Sequence, residues 1–145
     1  MDMLAMSIAS MVAILLLAVG VANLLWSLGI MWPIRDPELL ARSVSGAVPA
    51  RMPSRYVSLG VAILALIGCV VALSVADPAS GGAWLTALAL VAGFAGLARG
   101  VLGYTAWWQA RTPGEPFRTL DRRNYSPLCL ALGVGFLILV VMRLT

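Results

Sequence analysis

The chain has 145 residues, of which 61% are hydrophobic and 11% charged, with a mean hydropathy of +0.97. A soluble domain carries roughly 25% charged residues, so lipid is the expected outer solvent. Histidine is absent and all ten basic residues are arginine. That removes the commonest metal ligand, the usual general base near neutral pH and any lysine Schiff base. No metal or cofactor is expected, and haem held by histidine is excluded within this chain.

Met3 to Trp32 is the first apolar run. It exceeds the roughly 20 residues a bilayer requires, so it should tilt or protrude. Met1-Asp2-Met3 lacks the basic start of a cleaved signal peptide, and the run overshoots that of a signal. Residues 33–54 form a linker with four prolines. Within it, Asp36-Pro37-Glu38 has the order of an N-cap followed by proline at N1, predicting a short interfacial helix. Arg55 to Ala76 is the second span, and Asp77 to Gly82 is a turn built from breakers. Ala83 to Ala106 is the third span, ended by Trp107-Trp108. Ser126-Pro127 is expected to start the fourth span by the same cap-then-proline order, running to Val141. The expected fold is an all-α, polytopic membrane protein: one integral membrane domain over residues 1–145, a four-helix transmembrane bundle with a short interfacial helix in its first long loop.

The arginines fall in alternate loops. Arg35, Arg42, Arg51 and Arg55 lie in or beside the first long loop; Arg111, Arg118, Arg122 and Arg123 lie in the second. The positive-inside rule places both loops in the cytoplasm and both termini outside, in a bacterial cytoplasmic membrane. Trp32, Tyr56, Trp107, Trp108 and Tyr125 are then expected to form an aromatic belt at the cytoplasmic interface, with Trp84 at the other. The basic pI of about 9.8 reflects these topology signals and lipid-phosphate contacts, not a nucleic-acid footprint.

Membrane helices associate through small residues at regular spacing. The third span offers Gly93, Gly96, Gly100 and Gly103; the second Ser58, Ala62, Ala65, Cys69 and Ala72; the first Ala9, Ala13, Gly20, Asn23 and Ser27. Spread along one face, the glycines favour packing inside the bundle over dimerisation. Cys69 and Cys129 are expected at depths roughly 10–15 Å apart, at about 1.5 Å per helical residue. A disulfide needs Cα atoms within about 7 Å, so both are expected as free thiols.

Arg99 is the informative charge. A guanidinium in hydrocarbon costs several kcal/mol and faces protein or a wet cavity. Counting back from Trp107 and Trp32 at about 1.5 Å per residue puts Arg99 and Asn23 at similar depth, about 12–13 Å below the belt. Asn23 and Ser27 share a helix face. Arg99 is therefore expected to hydrogen-bond the first span near Asn23 and Ser27; a carboxylate partner could come only from a loop folding inward, Asp121 or Asp36, with Asp121 closing the site from the cytoplasmic side and Tyr125 at its mouth. The bland alternative is that Arg99 snorkels to the headgroups or is paired for structure alone. On the ligand-binding reading Arg99, Asn23, Ser27, Asp121 and Tyr125 form the candidate polar pocket, and no catalytic residue is assigned.

Phe117, Asp121, Tyr125, Ser126, Pro127, Leu128 and Cys129 read F-x3-D-x3-Y-S-P-L-C. With Trp26-Ser27-Leu28-Gly29, Val48-Pro49 and Arg99, this resembles the bacterial family 3995 of domains of unknown function, small four-span membrane proteins. The resemblance implies a fold and no established activity. In the family pattern a His often stands where this chain has Asn23, and an Asp a few residues after the intramembrane Arg, near Gly103.

Three functions compete. The first is a non-catalytic membrane subunit or scaffold packing against other membrane proteins or a second copy of itself, with membrane lipids around it and no nucleic acid. The alternative is a small-molecule or lipid binding or transport bundle around Arg99. An enzyme using Asp121, Tyr125 or Cys129 is the weakest, since proton transfer would fall to Asp121 or a perturbed thiol.

The orientation has a direct test. In a Cys69→Ala/Cys129→Ala background, a cysteine placed at Asp77 should react with an impermeant thiol reagent added to intact cells, and one at Thr112 should not. The reverse pattern overturns the assignment.

Overall fold

The computed structural model describes residues 2–145, and these are helical with no β-strand. The elements are α1 (Met3–Ser27), α2 (Pro37–Val44), α3 (Arg55–Val75), α4 (Ala83–Leu102), α5 (Ala106–Arg111), α6 (Phe117–Leu120), a π-helical turn over Asp121–Tyr125, and α7 (Ser126–Leu144). Four helices are long and apolar enough to cross a membrane: α1, α3, α4 and the continuous run Phe117–Leu144.

The helix ends follow local chemistry. Asp36 caps α2 through Glu38 N–H, with Pro37 at the first position, and Ser54 caps α3 through Val57 N–H. The first span ends at Ser27, not at Trp32. Gly29 takes φ +82°; its N–H reaches Trp26 O at 3.1 Å and the Ile30 N–H reaches Leu25 O at 2.9 Å. This is a Schellman ending, which favours a residue without a Cβ at the left-handed position. The third span also stops early, at Leu102. Thr105 then caps a new helix, α5, by accepting from Trp108 N–H at 3.2 Å. The expected continuation to Ala106 ignored that a threonine side chain offers the backbone an alternative to the helical ladder.

The fourth span starts differently from the expected cap. Ser126 has helical dihedrals, and the helix already runs through from Phe117. The Ser126 N–H bonds Asp121 O, five residues back. Pro127 lacks an N–H and would crowd a regular preceding turn; the widened π turn sits where that crowding would occur.

The helices form a ring of antiparallel neighbours. α1 packs on α3 and α7, α4 packs on α7, and α3 closes the ring against α4. The dry core lies at the end nearest the termini: Ala5, Ala9 and Val12 meet Val71, Ala72 and Val75, Leu85 and Ala89, and Phe136, Leu139 and Val140. Arg143 clamps this end. Its guanidinium donates to Thr86 Oγ1 at 3.1 Å, to Asp77 O at 2.9 Å and to Ser80 O, satisfying carbonyls of the α3–α4 turn. In that turn, hydrogen bonds from the Ser80 hydroxyl and the Ala79 N–H hold the Asp77 carboxyl below its ordinary pKa.

At the opposite end the two long loops dock on each other. Gly114 N–H bonds Gly46 O at 2.9 Å, and Leu40 of α2 is buried. The outward faces carry exposed Met11, Ile14, Leu64, Val70, Val91 and Phe94, as lipid-facing helices do.

The seams use the small residues. Ser58, Ala62, Ala65 and Ala72 of α3 are buried, and a Cβ at Gly20 of α1 would touch Ala65 at 3.5 Å. The α4–α7 contact is closer still. A Cβ at Gly96 would lie 2.9 Å from Cys129 O and from Gly133 N, so backbone faces backbone. The GxxxG glycine is engaged inside the bundle. Cys69 and Cys129 are free thiols.

Gly96→Ala should therefore destabilise by about 1–3 kcal/mol, the usual cost of overpacking. Gly60→Ala should be neutral or stabilising by up to about 1 kcal/mol through helix propensity, since a Cβ there meets nothing within 4 Å. Reversible unfolding in mixed micelles reads both; equal effects would refute the seam.

Candidate functional site

Three elements meet at the loop end of the α4–α7 seam. Arg99 lies in the last turn of α4, where a cation also suits the helix dipole. Trp108 lies on α5, swung back by the Gly103–Thr105 break. Asp121 opens the π turn.

Asp121 is the centre. Its side chain is 2% exposed, and among the described residues it is the one fully buried charged group. Arg99 Nη2 donates to its Oδ1 at 2.6 Å. Trp108 Nε1 donates to Oδ2 at 2.7 Å. Ser126 Oγ donates to Oδ1 at a long 3.5 Å. The Arg99 guanidinium also lies 4.7 Å from the Trp108 ring centroid, a cation–π distance. Its Nη1 is buried without a hydrogen-bond partner. Gly103 leaves room for the cluster: a Cβ there would overlap Ser126 Oγ and come 3.1 Å from Arg99 Nη1.

The expected bonds from Arg99 to Asn23 and Ser27 are not made. Asn23 Nδ2 donates to Val19 O at 2.9 Å, and Ser27 Oγ donates to Leu24 O at 2.6 Å; both turn back to their own helix. The packing explains this, because α1 rests on α3 and α7 and not on α4. Asn23 lies about one turn before the end of α1 at Ser27 and Arg99 about one turn before the end of α4 at Leu102, so similar height without adjacency does not bring them together.

Tyr125 lies elsewhere again. Its hydroxyl donates to Ser43 O at 2.9 Å, tying the π turn to α2, and its ring meets Phe117 at 5.6 Å. Tyr125 and Asn23 line a largely apolar groove of about 500 Å³ between α1, α2 and α7, with Trp26, Trp32, Phe117 and Leu128. Arg99 and Asp121 do not line it. The single expected pocket is thus two places: a closed ion-pair cluster and a separate groove.

Of the expected aromatic belt, Trp32, Tyr56 and Trp107 are exposed, while Trp108 and Tyr125 turn inward to hydrogen-bond. Trp107 instead carries Arg111 at 4.2 Å over its ring. Trp108 is the site residue that the sequence did not reveal as such. The available signal was Thr105, whose capping starts a new helix and re-aims the second tryptophan. Among the described residues no group of three or more His, Cys, Asp or Glu is placed to hold a metal ion.

The architecture is that of a four-span helical bundle closed at its loop end by an ion pair between a buried Asp121 and a partly exposed Arg99. Residues 10–136 match the model of a family described as "Protein of unknown function (DUF3995)", and the chain belongs to that family. No curated protein and no solved structure matches the chain.

Removing one partner of the cluster should cost more than removing both. Asp121→Leu with Arg99 kept should destabilise by about 2–3 kcal/mol, below the roughly 3–5 kcal/mol of a fully buried pair, because Arg99 is 31% exposed. Adding Arg99→Met should recover part of that loss. Trp108→Phe should cost about 1–3 kcal/mol by leaving a carboxylate oxygen unsatisfied. A double-mutant cycle on purified protein gives the coupling; additive losses would show that the pair does not stabilise the fold.

Proposed function

We propose that the protein is a non-catalytic subunit or scaffold of the bacterial cytoplasmic membrane, with both termini outside and both arginine-rich loops in the cytoplasm. The observation that carries this reading is the closed state of the polar cluster. Asp121, the acid best placed for proton transfer, is held by Arg99 and Trp108 at 2.6 and 2.7 Å. A buried carboxylate in that setting is a structural tie. The remaining loop contacts have the same character: Tyr125 holds α2, and Arg42 Nε reaches Glu115 O at 3.4 Å. They join the loops into one cap.

The surfaces offered to partners are the outward faces of the spans. The glycines of α4 are engaged with α7, so a partner helix would meet larger apolar side chains such as Val91 and Phe94, which are exposed.

One observation favours a second reading, that of a lipid or small-molecule binding bundle. The groove at Asn23 and Tyr125 is of ligand size. It replaces Arg99 as the centre of that idea.

Native mass spectrometry of the protein extracted in mild detergent separates the two. The subunit reading expects a stoichiometric membrane-protein partner or a second copy, retained by an Asn23→Leu variant. A monomer carrying a stoichiometric small molecule that Asn23→Leu releases would overturn it in favour of the second.

A further inference from the structure

The π turn does more than bury Asp121. The same widened turn leaves Arg122 and Arg123 exposed. Together with Tyr104 and Thr119 they outline a shallow notch of about 390 Å³. Tyr104 lies just beyond Gly103, the cap of α4, and so at the edge of the apolar layer. Its hydroxyl donates to Arg122 O at 3.0 Å, fixing the end of α4 to the base of the notch. Val101, one turn below, is an exposed apolar residue.

The charge of the notch is uncompensated. Among the described residues the one ion pair is Arg99–Asp121, so neither Arg122 nor Arg123 has an acid partner. Asp121, the neighbour of Arg122, is buried and held by Arg99 and Trp108; the next acid along the segment, Glu115, accepts from the Thr119 hydroxyl at 2.7 Å and from its N–H at 3.3 Å. That turns it onto the start of α6, and the two guanidinium charges outnumber it. Two adjacent cations, an interfacial tyrosine and an apolar helix face beneath them make the surface that an anionic phospholipid needs: phosphate on the arginines, acyl chains against α4 and α7.

We propose that the notch formed by Tyr104, Thr119, Arg122 and Arg123 is a headgroup site for an anionic phospholipid. The site goes beyond the subunit reading and does not rest on it. The buried pair positions it, because Asp121 fixes which residues of the π turn face inward and which face outward.

The test uses the full chain in a non-ionic detergent, with thermal unfolding followed during titration of short-chain phosphatidylglycerol, phosphatidylcholine or inorganic phosphate. Phosphatidylglycerol should raise the melting temperature and phosphatidylcholine should not. Arg122→Gln/Arg123→Gln should weaken the apparent affinity for phosphatidylglycerol about tenfold or more. Arg35→Gln/Arg51→Gln removes the same charge from exposed positions in the other loop and should leave the affinity unchanged. Equal weakening by both pairs would mean diffuse attraction and overturn the site. Inorganic phosphate reproducing the full shift would overturn the lipid as its occupant. Loss of the protein partner in native mass spectra bears only on the subunit reading, so the two proposals fail separately.

Discussion

The polar cluster at the loop end of this bundle depends on satisfying the buried Asp121 carboxyl group with directed donors. An ionised carboxylate in a low-dielectric interior is costly unless it is paired and hydrogen-bonded. Here it receives a guanidinium, an indole and a hydroxyl from three directions. Each donor fixes an element. Arg99 fixes the end of α4, Trp108 fixes α5, and Ser126 lies at the start of α7. The π turn follows from the same requirement, since it lets Asp121 face inward while Pro127 is accommodated just beyond it. Gly103 is confined by the same cluster, because a larger residue would occupy the space of the Ser126 hydroxyl.

The two ends of the bundle are held by different physics. Near the termini, small residues and a few large apolar ones make a dry core, clamped by Arg143. Near the loops, packing gives way to directed hydrogen bonds and a groove opens between α1, α2 and α7. Each end uses one arginine as a hydrogen-bonding clamp. Arg143 takes orphan carbonyls; Arg99 takes a buried acid.

The residues that carry the family resemblance converge on the loop end. Arg99, Asp121 and Ser126 form the cluster, and Phe117 and Tyr125 attach α2 to it. Their shared role in this chain is to hold the cap together. Asn23 lines the groove, whereas Gly103 abuts the ion pair, so in this chain the two positions do not belong to one constellation.

The sequence by itself determined the number of spans, the short capped helix at Asp36-Pro37 and the glycine seam of α4. Each is a local property: apolar length, cap chemistry, or small residues at helical spacing. Arg99 was legible as a charge needing a partner, and the acids able to reach it narrowed to Asp121 or Asp36; the fold chose Asp121. What the sequence did not reveal was which helices are neighbours. Similar depth on two spans suggested Asn23 and Ser27, but contact requires adjacency, and α1 lies on α3 and α7. The helix stop at Gly103 and restart at Thr105 likewise moved Trp108 from an expected lipid belt into the site. A tryptophan in that position suits either an interface or a buried acceptor. Only the tertiary structure, by bringing Asp121 within 2.7 Å of its indole nitrogen, decided between them.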